Sequence, residues 1–221
     1  LFVHIFYVPD QGLTLLMYLF YGLFLASLRG TRLSHEMELS FSKSPRAGFF
    51  AVLVVLLLSV LSLVSLYGAG TAYASALRSQ DAVARSIQGD FEGARTSILS
   101  AIGLSEQDRY YRTLTAIELS RLDALVTSGA SDEAAQNKFR ELLTNAINAS
   151  QRATDLDPKN YDNWLSRASV YASVVPIGIE GAYESAQETL LEAAKYNPQT
   201  PEVEYRVAQM NLALRDAAGA R

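Results

Sequence analysis

Few residues in this chain have the chemistry that enzymes use for nucleophilic or metal-assisted catalysis. The sequence contains no cysteine and only two histidines, His4 and His35. Disulfides, thiolate metal sites and multi-histidine metal sites are therefore excluded, whereas a single catalytic histidine is not. His35 stands beside Glu36 in a short polar segment between two apolar runs, where we expect both side chains to be solvated.

Other catalytic patterns are also missing. The sequence has no Gly-rich phosphate loop and no nucleophile elbow. Neighbouring acidic residues such as Asp155 and Asp157 are explained by turns and helix ends, so they do not indicate an acid–base pair. The net charge of −4 gives no electrostatic reason for nucleic-acid binding. We therefore predict no catalytic site, no cofactor and no metal in this chain.

The elements that carry these residues fall into two parts of different composition. Residues 1–76 are mostly apolar with long uncharged runs, whereas residues 77–221 are charged, rich in alanine and well mixed. This division predicts a membrane region at residues 1–77 and a second domain at residues 78–221.

Two uncharged runs have the composition of transmembrane helices. Residues 11–28 are just long enough to cross a bilayer core, and residues 47–77 contain no charge. A re-entrant segment is the alternative for the first run, and a buried core helix is the alternative for either. We predict spans at about 11–28 and 47–70, with the second helix running past Ala76 towards Gln88.

The segment between the runs predicts how the chain crosses the membrane. It contains more basic than acidic residues, and an excess of Lys and Arg in a short loop is typical of the cytoplasmic side. The basic residues are Arg29, Arg32, Lys43 and Arg46. This orientation predicts a multi-pass protein of the cytoplasmic membrane whose second domain lies outside the cytoplasm.

The second domain contains an internal repeat. Three segments share two alanines that are seven residues apart. An often apolar residue stands four positions after the first alanine, and a Pro or its equivalent stands five positions after the second. They are Ala94, Ile98, Ala101 and Glu106, then Ala146, Ser150, Ala153 and Pro158, then Ala186, Leu190, Ala193 and Pro198. A further alanine follows ten residues after each set, at Ala116, Ala168 and Ala208. Such spacing predicts helical hairpins in which small residues allow close approach of the two helices.

The run from Ala153 to Tyr171 resembles the junction between tetratricopeptide repeats. Ala153 and Pro158 match the end of one repeat, and Trp164, Ala168 and Tyr171 match the next. The segments at residues 89–94 and 215–220 resemble the turn between the two helices of a repeat. The resemblance covers about residues 78–221 and implies an all-α protein with three to four stacked hairpins, truncated in the last one.

The repeats depart from the usual period of about 34 residues. The steps from Ala94 to Ala146 and from Ala146 to Ala186 are 52 and 40 residues. The extra residues fall around positions 126–139 and 174–181, where we expect longer helices joined by loops at residues 127–133 and 174–181.

Stacked repeats of this kind bind peptides or proteins in a groove lined by the first helix of each pair. From the repeat register, we predict a groove that is nearly free of Lys and Arg, and a solvated structural face is the competing interpretation. Its residues are Tyr110, Thr113, Ile117, Asp162, Leu165, Ser169, Tyr205 and Gln209.

The whole arrangement also resembles the C-terminal end of bacterial O-antigen ligase or polymerase-like membrane proteins. Residues 1–20 are similar to the outer loop and late helix of that family, whose catalytic Arg and His lie in an earlier external loop. Ile5 follows His4, so His4 does not match the family motif and no catalytic role is carried over.

Two function hypotheses follow. The first is a membrane-anchored scaffold that binds a partner protein or peptide in the groove, with the lipid bilayer as its second partner. The second is the C-terminal part of a glycan-transferring enzyme whose catalytic residues precede Leu1, which would make the intact protein a glycan ligase.

Overall fold

All regular structure is helical in the part of the chain that the computed structural model describes, residues 11–27 and 45–219, and the all-α fold class is thereby confirmed. Two compact units, Leu1–Val60 and Leu61–Arg221, share one of the helices. The helices are α1 (Gln11–Ser27), α2 (Pro45–Ile87), α3 (Phe91–Leu104), α4 (Asp108–Thr127), α5 (Glu133–Leu156), α6 (Tyr161–Val174), α7 (Ala182–Tyr196) and α8 (Glu202–Gly219).

The first unit contains α1 and the start of α2, and the side chains described there are largely exposed. Within the described residues, one helical stretch is long and apolar enough to cross a membrane. It covers Gly48–Ile87, and its most apolar 18-residue window has a mean hydropathy of 2.9 with none of that window buried. Helix α1 has 17 residues, or about 26 Å of helix, which is shorter than a bilayer core of roughly 30 Å. The two-span hairpin therefore stays a prediction.

Helix α2 continues without interruption from its apolar run into the second unit. It has 43 residues, and the prediction that it extends past Ala76 towards Gln88 is confirmed. In its second half, Ser75 and Ala82 are fully buried. Ser75 Oγ lies 2.8 Å from Tyr110 Oη on α4. The second half of α2 is therefore the first helix of the first hairpin.

The second unit consists of helix pairs. Helix α4 pairs with α5, α6 pairs with α7, and α8 packs on α7. Helix α2 contacts α3 through the buried cluster of Ala82, Ala94 and Ile98 and through a 2.6 Å hydrogen bond from Ser97 Oγ to Asp81 Oδ2.

A tight turn closes the first pair, where Gly89 has a φ of 80° that favours glycine. The Asp90 side chain then accepts a hydrogen bond from the Gly93 N–H and caps α3. The turn predicted at residues 89–94 is confirmed.

The repeated alanines lie where the helices of each pair meet. Ala94, Ala146 and Ala186 have no exposed surface, and neither do Ala101, Ala153 and Ala193. The position between them, occupied by Ile98, Ser150 and Leu190, is at most 1% exposed. The prediction that these positions form the helix contacts is confirmed.

Of the three alanines that follow ten residues after each set, only one is buried as a helix contact would require. Ala168 is buried, but Ala116 and Ala208 are exposed. Three residues connect α3 to α4, whereas four connect α5 to α6. The shorter connection moves α4 by one position, so that Thr115 takes the buried place that Ala168 has in α6.

The two sets of extra residues are accommodated in different ways. In the second pair they lengthen the helices to 20 residues in α4 and 24 in α5, around the predicted loop. In the third pair the helices have only 14 and 15 residues, so the prediction of longer helices is wrong there. The extra residues instead form the connection between Val174 and Ala182, where Gly178 and Gly181 have positive φ values.

The turn predicted at residues 215–220 is absent from the described residues. Helix α8 continues to Gly219, and the last position of the predicted turn lies outside the described part. The helix-forming residues of that segment, including two consecutive alanines, outweigh the preference of Asp216 for a turn.

Candidate functional site

The eight residues predicted to line a groove have very different exposures. Asp162, Tyr205 and Gln209 are exposed, and Thr113, Leu165 and Ser169 are partly buried. Tyr110 and Ile117 are each only 1% exposed and belong to the hydrophobic cluster around Ala94 and Ile98. Tyr110 and Ile117 therefore offer little surface to a partner, and the assignment of the eight residues to a groove stays a prediction.

The burial of Tyr110 and Ile117 follows from the one-residue shift of α4. When α4 is aligned with α6 by their first residues, Asp108 and Tyr161, the equivalents of Asp162, Leu165 and Ser169 become Arg109, Arg112 and Ala116. The repeat register misses these three residues because it equates Glu106 with Pro158. This alignment makes Tyr110 the equivalent of Asn163, and both residues are buried.

An open groove lies between the first helices of the first two pairs. Its volume is about 420 Å³. Its lining residues come from α2 and α4 and include all three residues that the corrected alignment names: Val83, Ser86, Ile87, Arg109, Arg112, Thr113, Ala116 and Ile117. We call this the first-helix groove, and one of its walls is apolar while the other is basic.

Arg109 is the groove cation most available to a ligand. Its guanidinium carbon lies 4.9 Å from the centroid of the Tyr110 ring, and Nη2 donates a 3.0 Å hydrogen bond to Tyr110 Oη. Among the described residues, no carboxylate lies within 4.0 Å of it. The α4 side of the first-helix groove therefore contains two arginines that are not among the eight predicted residues. This exposed guanidinium can pair with an acidic group of a partner.

Arg112, by contrast, is held in a network between α4 and α6. Nη1 donates to Asn163 Oδ1 at 2.8 Å and to Asp108 Oδ2 at 3.3 Å. Asn160 Nδ2 also donates to Asp108 Oδ2, at 2.8 Å. Burial opposes ionisation of Asp108, but the Asn163 and Asn160 amides and Arg112 outweigh it and hold the pKa of Asp108 below its usual value.

The α6 part of the predicted groove is linked to α8. Arg206 Nη1 donates a 2.8 Å hydrogen bond to Ser169 Oγ, and Arg206 Nε donates to Glu202 at 2.8 Å. Ser169 is therefore occupied by a neighbouring helix, while Tyr205 remains 60% exposed. These bonds link α6 to α8, while Asp162 and Gln209 remain exposed.

No metal centre is present in the described residues, where no group of three His, Cys, Asp or Glu side chains could hold an ion. Both histidines lie outside the described part, as do residues 29–44 of the basic loop predicted at residues 29–46. The first-helix groove thus combines an apolar wall with an exposed guanidinium that contacts Tyr110 but no described carboxylate.

Comparison with known proteins gives a fold likeness only. No protein-family model matches the chain, and no curated protein matches it. Among solved structures, it is similar to the TPR domain of Arabidopsis OM64, with 18% identity and a TM-score of 0.48. That match covers 64% of this chain and 97% of the Arabidopsis domain.

Proposed function

We propose that this protein is a membrane-anchored scaffold that binds an acidic partner peptide in the first-helix groove, outside the cytoplasm. The observation that carries the proposal is the continuity of α2, whose apolar run leads directly into the first helix of the groove. Exposure of an apolar helix of this length to water is unfavourable, so it is typical of a membrane-anchored protein rather than of a soluble adaptor.

The chemistry of the groove supports a peptide rather than a small substrate. It is open to solvent and has one apolar wall, and no metal-binding cluster lies among the described residues. Arg109 gives it one cation that no described carboxylate neutralises. Apolar contacts together with one charge-assisted hydrogen bond are enough to orient an extended segment of a partner.

Membrane topology is the first test of this proposal. Reporter fusions after Lys43 and after Gly129 are made in pairs, one reporter active only inside the cytoplasm and one only outside. We expect Lys43 inside and Gly129 outside. A cytoplasmic Gly129 would contradict the loop-charge prediction and replace the external scaffold with a cytoplasmic adaptor.

A peptide selection tests the groove itself. The full chain in lipid nanodiscs is used to select binders from a random displayed peptide library. Peptides bound in the first-helix groove should lose affinity when Ala116→Trp fills the groove, and they should keep it in Ala134→Trp on the exposed face of α5. Selected peptides that bind both variants equally would show that the groove is not the binding site.

The alternative is the C-terminal part of an O-antigen ligase-like enzyme. It is supported by the resemblance of residues 1–20 to that family and by the predicted cytoplasmic loop. Reading the gene upstream of Leu1 separates the two functions. A series of further hydrophobic spans with an external loop containing Arg and His would favour the ligase, whereas a start codon just before Leu1 would favour the scaffold.

A further inference from the structure

A second groove lies at the ends of the helices where the repeats depart from their period. It has a volume of about 510 Å³. It is lined by the end of α4, the start of α5 and the connection between α6 and α7: Leu125, Val126, Ala130, Ser131, Ala135, Gln136, Phe139, Arg140, Leu143, Ile177 and Ile179. None of these residues lines the first-helix groove. We call it the insertion groove.

The groove is built by both sets of extra residues, which are far apart in the sequence. The longer helices α4 and α5 supply one side, and the α6–α7 connection supplies Ile177 and Ile179 on the other. The floor is firm, because Phe139 and Leu143 pack against the buried cluster of Leu122, Leu142, Val174 and Val175. These contacts support the groove from below.

The rim of the groove exposes apolar side chains where a purely structural loop would carry polar ones. Val126, Ile177 and Ile179 are 49%, 46% and 38% exposed. Burial of apolar surface is worth roughly 25 cal/mol per Å², and three such side chains around one concavity form a contiguous apolar patch. Patches of this kind on a soluble surface are typical of interaction sites.

The rim has one charged side chain, Arg140, and its lack of an ion-pair partner indicates the chemistry of the ligand. Arg140 donates only a long 3.4 Å hydrogen bond to Asn137 Oδ1, and no described carboxylate lies within 4.0 Å. The neighbouring Lys138 is already paired with Glu141 at 3.0 Å. Glu180 follows Ile179 in the sequence but does not reach Arg140. A carboxylate beside apolar side chains is therefore the complement of this rim.

We infer that the insertion groove binds an amphipathic helical segment of a partner protein, whose apolar face enters the groove and whose carboxylate pairs with Arg140. The described elements are all helical, so they offer no sheet edge for an added strand. The lining also contains few polar groups, which would leave the backbone of an extended peptide unsatisfied. A helix satisfies its own backbone and needs only side-chain anchors at helical spacing.

The test uses the full chain in lipid nanodiscs and three stapled, fluorescein-labelled helical peptides of about twelve residues, or roughly 18 Å of helix. The first has leucines at positions i, i+3, i+4 and i+7 with glutamates beside them. The second replaces the glutamates with lysines, and the third replaces the leucines with serines. Binding is measured by fluorescence anisotropy.

We expect the glutamate peptide to bind, with the lysine peptide weaker by about fivefold, the effect of losing one partly exposed charge pair. Arg140→Glu should invert that preference, and this gain for the lysine peptide cannot come from unfolding. Ile179→Asp should weaken both peptides, whereas Ala116→Trp in the first-helix groove should weaken neither. The serine peptide should not bind.

Three results would overturn the inference. They are equal binding of the glutamate and lysine peptides to the unmodified chain, loss of binding in Ala116→Trp, or no binding of any peptide. Because the first-helix groove is probed separately by Ala116→Trp, failure here leaves the proposed scaffold function standing. Circular dichroism of each variant confirms that the helical content is unchanged.

Discussion

Glu118 on α4 is a carboxylate buried between two arginines. It is 1% exposed, with Oε1 accepting from Arg95 Nε at 2.7 Å and Oε2 accepting from Arg121 Nη1 at 2.7 Å. Arg121 also contacts Glu92 on α3. Burial of the Arg121 guanidinium opposes its charge, but Glu118 and Glu92 raise the pKa of Arg121 above its usual value. The network links α3 to α4 through charges that balance one another.

Removal of this carboxylate should be costly. Glu118→Ala leaves Arg121 buried and only partly paired, so we expect the free energy of unfolding to fall by about 3–5 kcal/mol. The matched control is Glu141→Ala, which removes an exposed pair with Lys138 and should cost about 0.5 kcal/mol or less. Denaturant unfolding in detergent micelles, followed by circular dichroism, compares the two. Similar losses in both variants would contradict the buried network.

Asp108 gives a prediction about pH. Its pKa is lowered in the folded protein, so its contribution to stability is present above its unfolded pKa, which is about 3.9, and is lost as the pH falls through the lower folded value. Asp108→Asn should therefore destabilise the protein by about 1 kcal/mol at pH 7. The difference from the unmodified chain should shrink only below about pH 4. A difference that already vanishes at pH 6 would point to another group.

At the scale of helices, the sequence predicted the pairs well because small residues repeated at helical spacing are typical of a close contact between two helices. The buried alanines of α3, α5 and α7 are where that pattern placed them. The side of α4 that is buried could not be predicted from it. The length of the α3–α4 connection decides that side. With one residue fewer there, Arg109 and Ala116 line the groove together with Ile117, while Tyr110 is buried.

The insertion groove was likewise beyond sequence reasoning. Its two sides are separated by more than one helix in the chain, and only the packing of α5 against α6 brings them together. The extra residues were located correctly, but nothing in their spacing indicated that Phe139 and Ile179 would line one surface.

The close approach of α4 and α5 gives a prediction at this scale. Ala146 has no exposed surface, so Ala146→Leu inserts atoms into a filled contact and should lower the free energy of unfolding by about 1–3 kcal/mol. The control, Ala134→Leu on the exposed side of the same helix, should change it by no more than about 0.5 kcal/mol. Equal effects would mean that the alanine positions do not set the distance between the helices.

For the molecule as a whole, the main feature is that α2 serves as apolar helix and repeat helix at once. The apolar run includes Leu61 and ends near Tyr67. Ser75, eight residues after Tyr67, already forms a hydrogen bond with Tyr110 on α4. Gly68 and Gly70 lie between them, and glycine is the residue at which a helix most easily bends, after proline.

The absence of cysteine allows a direct test of whether α2 stays straight in a bilayer. Spin labels at Tyr67→Cys and Ile87→Cys, both exposed positions, should be separated by about 30 Å with a narrow distribution of distances. A control pair within α5, Ala134→Cys and Asp155→Cys, should give a similar value and width. A broad or bimodal distribution for the α2 pair alone, measured by pulsed electron resonance in nanodiscs, would show a bend at the glycines.

An unbroken helix also transmits rotation. Each residue of α2 advances the helix by about 100° and 1.5 Å, so the direction in which Leu61 and Tyr67 face fixes the direction in which Ser75 and Ala82 face. If α2 is anchored in a membrane as proposed and a neighbouring helix turns it about its own axis, Val83 and Ile87 must turn with it and carry one wall of the first-helix groove. A repeat domain on a flexible linker would receive no such torque.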